Sequence, residues 1–301
     1  MNRRLTLWIV LGAVLLTGLA AVVTQYADMA AQIRTVAMPT GPRPAPDPDA
    51  MNILIMGSDT RAHGNRALGG GKVQTPRSDT TVLLHIPYGH RSAIAVSLPR
   101  DAVVARPACG PARSPLNWSF AYGGPTCTVA TVERVTGLRV DHFAVLDFAS
   151  AADLATAVGG VPVTVPAGIP AKDADGLKPG RQLLKGRDAV AYLRLRHVGA
   201  DQSDLRRIRR QQSFLRAFLK RVKTLGPEAV LTLAKTASAA IVTDPGLDTP
   251  AARLRLAMDL RDVDLSRVRF ATPPLEPDPG NPAAWVRFAP SAASLWRSLR
   301  P

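Results

Sequence analysis

Two groups of charged residues are spaced so that they could do chemistry together. Asp59, Asp79 and Asp101 each follow or open a short apolar run, and Arg77 and Arg100 stand beside the last two. Three carboxylates brought to one rim would need a reason to tolerate each other. A hard divalent cation is one, since Mg²⁺ takes one or two carboxylates and fills its remaining positions with water and phosphate oxygens. The other reading is plainer: Asp59 caps a turn and Asp79 pairs with Arg77 at the surface. The second group is Tyr192-Leu193-Arg194-Leu195-Arg196-His197, followed by Asp204-Leu205-Arg206-Arg207-Ile208-Arg209-Arg210-Gln211-Gln212. Arg194 and Arg196 alternate, which puts them on one side of an extended segment. Arg207 and Gln211, four apart, share a helix face. Guanidinium forks packed this closely repel unless an anion sits among them, and a pyrophosphate would bind each by charge-assisted contacts. A solvated basic helix face is the alternative.

The elements that would position these groups can be read from apolar periodicity. Asn52–Met56, ended by Gly57, reads as a buried strand, and Thr80–Ile86 and Ser92–Leu98 read as two more. Pro87-Tyr88-Gly89-His90 between the latter two reads as the turn of an antiparallel hairpin. That hairpin sets Asp79 and Arg100-Asp101 at one sheet end, and an antiparallel first strand would bring Asp59 there too. His142–Phe148 and Val161–Val165 read as strands, with a helix from Ala151 to Val158 between them. Helices are expected over Arg187–Leu193, Asp204–Val222 and Glu228–Ile241, the second with Leu205, Ile208, Leu215, Leu219 and Val222 as its buried stripe. Strands alternating with helices predict an α/β fold: an α/β/α sandwich around a central mixed β-sheet.

The N-terminus predicts the compartment. Leu5–Val23 carries no charge and follows Arg3-Arg4, with no further basic residue before Arg34. A helix of that length is about 28 Å long, enough for a hydrocarbon core of about 30 Å. The flanking arginines place residues 1–4 in the cytoplasm. A cleaved signal peptide is the competing reading, but the run exceeds an h-region of about 7–15 residues. We therefore expect a signal anchor over 5–23 in the cytoplasmic membrane and everything beyond it outside. Residues 24–50 read as a stalk, with five prolines between Met38 and Pro48, and 51–301 as one domain. Cys109 and Cys127 fit a disulfide in an oxidising compartment, bracing a long loop.

Composition narrows the function. Of 301 residues, 46% are apolar and 20% charged, which excludes a disordered or collagen-like chain. Lys+Arg 38 against Asp+Glu 23 leaves a net charge of +15, only seven of the basic residues being lysine. Nucleic acid is an unsuitable client: few aromatics interleave the arginines, no zinc or helix-turn-helix module is evident, and the anchor places them outside the cell. Gly69-Gly70-Gly71-Lys72 lacks the first glycine and the Ser/Thr of a phosphate loop, and reads as a glycine-rich lid. There is no G-x-S-x-G elbow and no H-E-x-x-H pair. His197 is a candidate phosphate contact, and Asn117-Trp118-Ser119 is a formal glycosylation sequon.

In order along about 160 residues, these pieces resemble the LytR-CpsA-Psr family of bacterial wall-polymer ligases. The matching segments begin with Asn52–Arg61, Arg77-Ser78-Asp79-Thr80 and Ser97-Leu98-Pro99-Arg100-Asp101. They continue through Asn117 with Ala121-Tyr122-Gly123-Gly124, Thr136-Gly137 with Asp141-His142, and Val158–Val161. The last are Leu184-Lys185-Gly186 with Ala189, Tyr192-x-Arg194-x-Arg196 and Asp204-x-x-Arg207-x-x-Arg210-Gln211-Gln212. The resemblance implies a membrane-anchored phosphotransferase that moves a glycopolymer from a polyprenyl-pyrophosphate carrier to peptidoglycan, forming a phosphodiester. It implies Mg²⁺ (or Mn²⁺) on Asp59 and Asp79. Arg77, Arg100, Arg194, Arg196, Arg207 and Gln211 match its pyrophosphate-binding positions. Asp79, Arg100 and Asp101 are the candidate catalytic group, Asp101 being either a base or a partner of Arg100. The family's basic residue two before Asn117 is here Pro115, with Arg113 as a substitute. A non-catalytic envelope protein that binds anionic polymer or lipid headgroups through its arginines is the alternative. A role in transcription attenuation conflicts with the topology.

Overall fold

The computed structural model describes residues 3–58, 77–89, 91–105, 109–169, 175–195, 204–261 and 263–300. It is an α/β/α sandwich with one long N-terminal helix. That helix, α1 (Arg3–Gln32), is followed by β1 (Arg34–Thr35), β2 (Ala50–Ser58), β3 (Ser78–Pro87), β4 (Ala93–Leu98), β5 (Val103–Ala105) and β6 (Arg113–Pro115). Next come α2 (Asn117–Thr136), β7 (His142–Asp147), α3 (Phe148–Ala157), β8 (Val161–Val165), β9 (Gly180–Leu184), α4 (Gly186–Arg194) and α5 (Asp204–Val222). The chain closes with α6 (Pro227–Ala240), β10 (Val242–Thr243), α7 (Pro250–Arg261), β11 (Val268–Ala271), β12 (Leu275–Pro277), β13 (Val286–Phe288) and α8 (Ala292–Ser298).

Seven strands form one mixed sheet in the order β1-β10-β7-β2-β3-β4-β11. β2, β3 and β4 are mutually antiparallel neighbours, whereas β7 runs parallel to β2 and β11 parallel to β4. Strand side chains alternate faces, and the core divides accordingly. Leu54, Met56, Leu83, Val96, Leu98, Phe143 and Val145 pack beneath Phe120, Val129 and Val132 of α2 and Trp296 of α8. Ile53, Val82, Ile86, Ala93 and Ala95 face the other way, against Leu256 and Leu260 of α7. A third apolar cluster joins the β8–β9 hairpin to α3, α4 and Phe214 of α5.

Two expectations change. The helix at the N-terminus runs to Gln32, nine residues past the expected span, so that it reaches the folded domain and meets α6 and α7. The Pro-rich segment is no free stalk. β1 enters the sheet beside β10, Val36 and Met38 pack on the core, and Arg43 forms a buried ion pair with Glu133 (2.7 Å). Its prolines fix an extended backbone, which here serves to lay the segment along the domain. The remaining strand and helix expectations hold to within three residues at each end. The Cys109–Cys127 disulfide forms as expected, with 6.0 Å between the Cα atoms.

Candidate active site at one end of the sheet

The hairpin and its neighbour deliver the acidic cluster by register. Thr81 pairs with Leu98, so Asp79 and Arg100 lie opposite each other two residues further on. The ladder between β2 and β3 slips at this point: Gly57 pairs with Thr80 and Ser58 with Ser78, leaving Asp79 as the extra residue of a β-bulge. A bulge re-aims the side chain it carries. The Ser78 hydroxyl secures the distortion by donating to the Thr80 carbonyl (2.8 Å). Gly57 suits the close approach, because a Cβ there would lie 3.0 Å from that of Thr80. The outcome is an ion pair: Arg100 Nη1 donates to Asp79 Oδ1 (2.8 Å) and Arg100 Nε to Asp101 Oδ2 (3.2 Å). Both the Asp79 and Arg100 side chains are about one-fifth exposed (19% and 20%). Asp79 thus pairs with Arg100 across the hairpin, and Asp101 is the second carboxylate on the same guanidinium.

Arg77, just before β3, stacks its guanidinium over the Trp118 ring, 4.9 Å from the centroid. Trp118 stands at the start of α2, which begins at this sheet end because Asn117 N donates to the Arg100 carbonyl (3.0 Å). The Asn117 side chain is buried, and its Oδ1 has no hydrogen-bond partner. The same end receives the C-terminus of β7, since Ser58 pairs with Asp147. Asp147 caps α3 by accepting from Ser150 N (2.7 Å) and Ser150 Oγ (2.6 Å). Its charge, added to the larger effect of burial, raises the Asp153 carboxyl above its ordinary pKa. Two helix N-termini, those of α2 and α3, thus bring partial positive charge to this rim.

The arginine cluster reaches the rim from α4. Arg194 lies 4.0 Å over the ring of Phe148, the first residue of α3. It is the last helical residue of α4, not part of an extended strand, because Leu195 is the first to leave helical geometry. Arg210 of α5 donates to the Leu195 carbonyl, and Gln212 Nε2 donates to Ser97 Oγ of β4 (2.8 Å). Gln211 is half-buried between them. On α5 the buried positions are Ile208, Arg210 and Phe214, while Leu215, Leu219 and Val222 are half-buried. Arg113, the substitute basic residue, is ion-paired with Asp278 (3.3 Å). Asp59, Arg196, His197 and the 69–72 glycine run lie outside the described residues, as do the side chains of Leu205 and Arg207. Among the described residues no cluster of three metal-ligating side chains occurs. Sequence reading missed Trp118, Asp147 and Phe148. Only the β7 register, which no local signal fixes, would have located the last two.

The register also places the N-terminal helix. β1 is parallel to β10, and β10 antiparallel to β7, with Arg34 level with Val242 and Val242 with Val145. The chain therefore enters the sheet from the end where Asp147 lies, and α1 leaves the domain at the same end as the ion-paired site.

A sequence profile of the LytR_cpsA_psr family matches residues 20–295 of this chain. The chain belongs to the LytR_cpsA_psr family. Family relatives include the probable cell wall biosynthesis protein LcpB of Corynebacterium glutamicum, 35% identical over 182 residues, covering 58% of this chain and 42% of that one. The polyisoprenyl-teichoic acid–peptidoglycan teichoic acid transferase TagT of Bacillus subtilis is 31% identical, covering 72% of this chain and 63% of its own. The match thus spans about half the length of these relatives. Among solved structures, a LytR-Csp2A-Psr enzyme from Actinomyces oris superposes with a TM-score of 0.70 at 22% identity, over 89% of this chain and 96% of that one. TagT bound to LIIa-WTA superposes with a TM-score of 0.66 at 25% identity, over 88% and 97%. The family fold is therefore the sandwich described above.

Proposed function

We propose that this chain is a membrane-anchored phosphotransferase that moves a glycopolymer from a polyprenyl-pyrophosphate carrier to peptidoglycan. The observation that carries the reading is Arg100, held between Asp79 and Asp101 at the sheet end that also gathers Arg77 and Arg194. TagT, a relative at 31% identity, is named for this class of transfer, which supports it further.

In the reaction, a peptidoglycan hydroxyl oxygen forms a bond to the sugar-linked phosphorus. The bond from that phosphorus to the bridging oxygen breaks, polyprenyl phosphate leaves with the electron pair, and the hydroxyl proton passes to solvent or a nearby base. Such a transition state needs positive charge around the transferring phosphoryl group and in-line placement more than it needs covalent chemistry. Arg100 is oriented for this by Asp79 on one edge and Asp101 on the other, and we assign Asp101 that positioning role. Arg77 and Arg194, each backed by an aromatic ring, keep their guanidinium planes fixed. Arg196, Arg207 and Gln211 complete the pyrophosphate set by resemblance. Asp79, about one-fifth exposed at this rim, is a hard carboxylate oxygen donor of the kind Mg²⁺ or Mn²⁺ takes. Asp79 with Asp59 would hold the ion, which would supply Lewis-acid charge stabilisation to the phosphate oxygens. The uncharged run of α1 would anchor the chain with its N-terminus in the cytoplasm.

The full chain in detergent or nanodiscs, given a polyprenyl-pyrophosphate oligosaccharide and a peptidoglycan fragment, should yield a phosphodiester-linked product with Mg²⁺. EDTA or Asp79→Ala should abolish it. Tight lipid binding without product or pyrophosphate cleavage, for several acceptors, would overturn the transferase in favour of an anion-binding envelope protein.

A further inference from the structure

The first turns of α2 carry two aromatic side chains that the core does not use. Trp118 and Tyr122, four apart, stack at 5.9 Å between ring centroids with a 36° tilt. Phe120, on the opposite side of the helix, is buried in the main core, whereas neither Trp118 nor Tyr122 belongs to a core cluster and Tyr122 is 48% exposed. Their placement is built with some care. Gly124 holds a left-handed φ of +60°, and α2 breaks at Gly123-Gly124 immediately after Tyr122. A Cβ on Gly123 would come within 2.7 Å of the Cys127 Cβ, so the break is packed directly against the disulfide. The segment Asn117–Tyr122 is thereby fixed at both ends, to the Arg100 carbonyl through Asn117 and to the disulfide through the glycine pair.

We infer that Trp118 and Tyr122 form a saccharide-binding platform beside the anionic site. The inference rests on the proposed transferase reading and names the substrate contact it lacks. In a sugar–pyrophosphate donor, the first sugar is bonded directly to phosphorus, and the attacking hydroxyl belongs to another sugar. A pyranose ring must therefore lie within one sugar's length of the phosphoryl group on either side. Trp118 is already in contact with Arg77, and an aromatic face is the surface on which the axial C–H groups of a pyranose pack. The indole N–H and the Tyr122 hydroxyl can also meet sugar hydroxyls. The arginines recognise phosphate, and the rings would recognise the carbohydrate attached to it or attacking it.

The test is binding, which does not depend on turnover. The full chain in detergent is titrated calorimetrically with two probes: an N-acetylglucosamine–N-acetylmuramic acid tetrasaccharide, for the acceptor, and a lipid-free oligosaccharide 1-phosphate, for the donor. The wild type should bind one of them, and the one bound identifies which sugar the platform holds. Tyr122→Ala should weaken that probe about ten-fold, the equivalent of one aromatic contact, while Tyr122→Phe keeps most of the affinity. Trp118→Ala should weaken it at least as much. Inorganic pyrophosphate binding should be unchanged in Tyr122→Ala, which separates the platform from the arginines and from unfolding. If the wild type binds neither probe, or if folded Tyr122→Ala and Trp118→Ala bind as the wild type does, the platform is refuted. Transfer by those same proteins would then leave the transferase reading standing.

Discussion

Arg100→Ala tests whether the ion pair at the bulge organises the site. The guanidinium donates to two carboxylates, at 2.8 and 3.2 Å. Hydrogen bonds to charged groups contribute about 1.5–3 kcal/mol each when buried, but the partial exposure of all three side chains lets solvent screen these two to about 1 kcal/mol each, so removal should cost about 2 kcal/mol in total. In a domain of this size that lowers the melting temperature by about 4–8 °C. The effect on transfer should be larger, about 10²–10³-fold, because a preorganised donor aimed at developing charge is worth more than its contribution to folding. The assay is a double-mutant cycle of Arg100→Ala and Asp79→Ala, read by thermal melting and by product formation. A stability coupling of about 1 kcal/mol is expected, because either single variant already breaks the pair. Additive melting shifts would show that the pair contributes nothing. A folded Arg100→Ala retaining more than a tenth of the wild-type rate would refute the assignment of Arg100 to the reacting phosphate. Arg100→Lys should rescue stability partly and activity poorly, since an ammonium cannot span both carboxylates as a fork does.

At the opposite end of the sheet, His142 Nδ1 meets Asp244 (3.1 Å), and this hydrogen bond lifts the His142 pKa above its ordinary 6.5 despite burial. Its stabilisation is complete below about pH 6.5 and is lost as pH rises through the raised value, so urea melts should weaken from pH 6 to 8 and His142→Gln should flatten that slope. For Asp244, burial works upward but is outweighed by the bonds from His142, Phe143 N and Gly246 N, which leave its pKa lowered. Its contribution is present above about pH 4 and is lost as pH falls further, a limb that Asp244→Asn should remove. Arg43→Ala should cost about 3–5 kcal/mol by leaving Glu133 buried without its charge partner, measurable as a fall in the denaturation midpoint at constant slope.

Local pattern carried most of the fold. The apolar runs at 52–56, 80–86 and 92–98 became β2, β3 and β4, and the hairpin between the last two placed Asp79 against Arg100 as its geometry requires. What local pattern could not carry was the pairing of β7 beside β2, a contact between strands separated by about 85 residues of sequence. Asp147 and Phe148 come to the site through that pairing alone. The bulge at Asp79 was equally invisible, because Ser78-Asp79-Thr80 is unremarkable for a strand and the slip arises from how Gly57 and Thr80 meet. Arg194 has a different backbone from the one its sequence suggests. Its alternation with Arg196 mimics a strand, but α4 keeps it helical through Leu195, whose amide still bonds back to Ala191. The proline-rich segment misled for a different reason. Composition reports that residues 39–48 cannot form a core of their own, not whether Arg43 finds Glu133 on another element.

The entry of β1 into the sheet sets α1 at the same sheet end as the proposed site. Arg34 is level with Val145, two residues short of Asp147, so the chain passes from α1 into the domain at the height of the site. Between β1 and β3 lie β10, β7 and β2, and at about 4.8 Å per strand the lateral separation is about 19 Å. The first charge after the apolar run is Asp28, and α1 meets α6 and α7 before it ends at Gln32. Four residues of helix add only about 6 Å. With α1 in a membrane, as proposed above, a domain held this way would not swing far from that surface, and the rim facing it would be the one bearing Asp79, Arg100 and Arg194. A soluble substrate would gain nothing from that orientation. For the proposed pyrophosphate donor, whose lipid tail would stay in the bilayer, it would turn the search for the arginines from three dimensions to two.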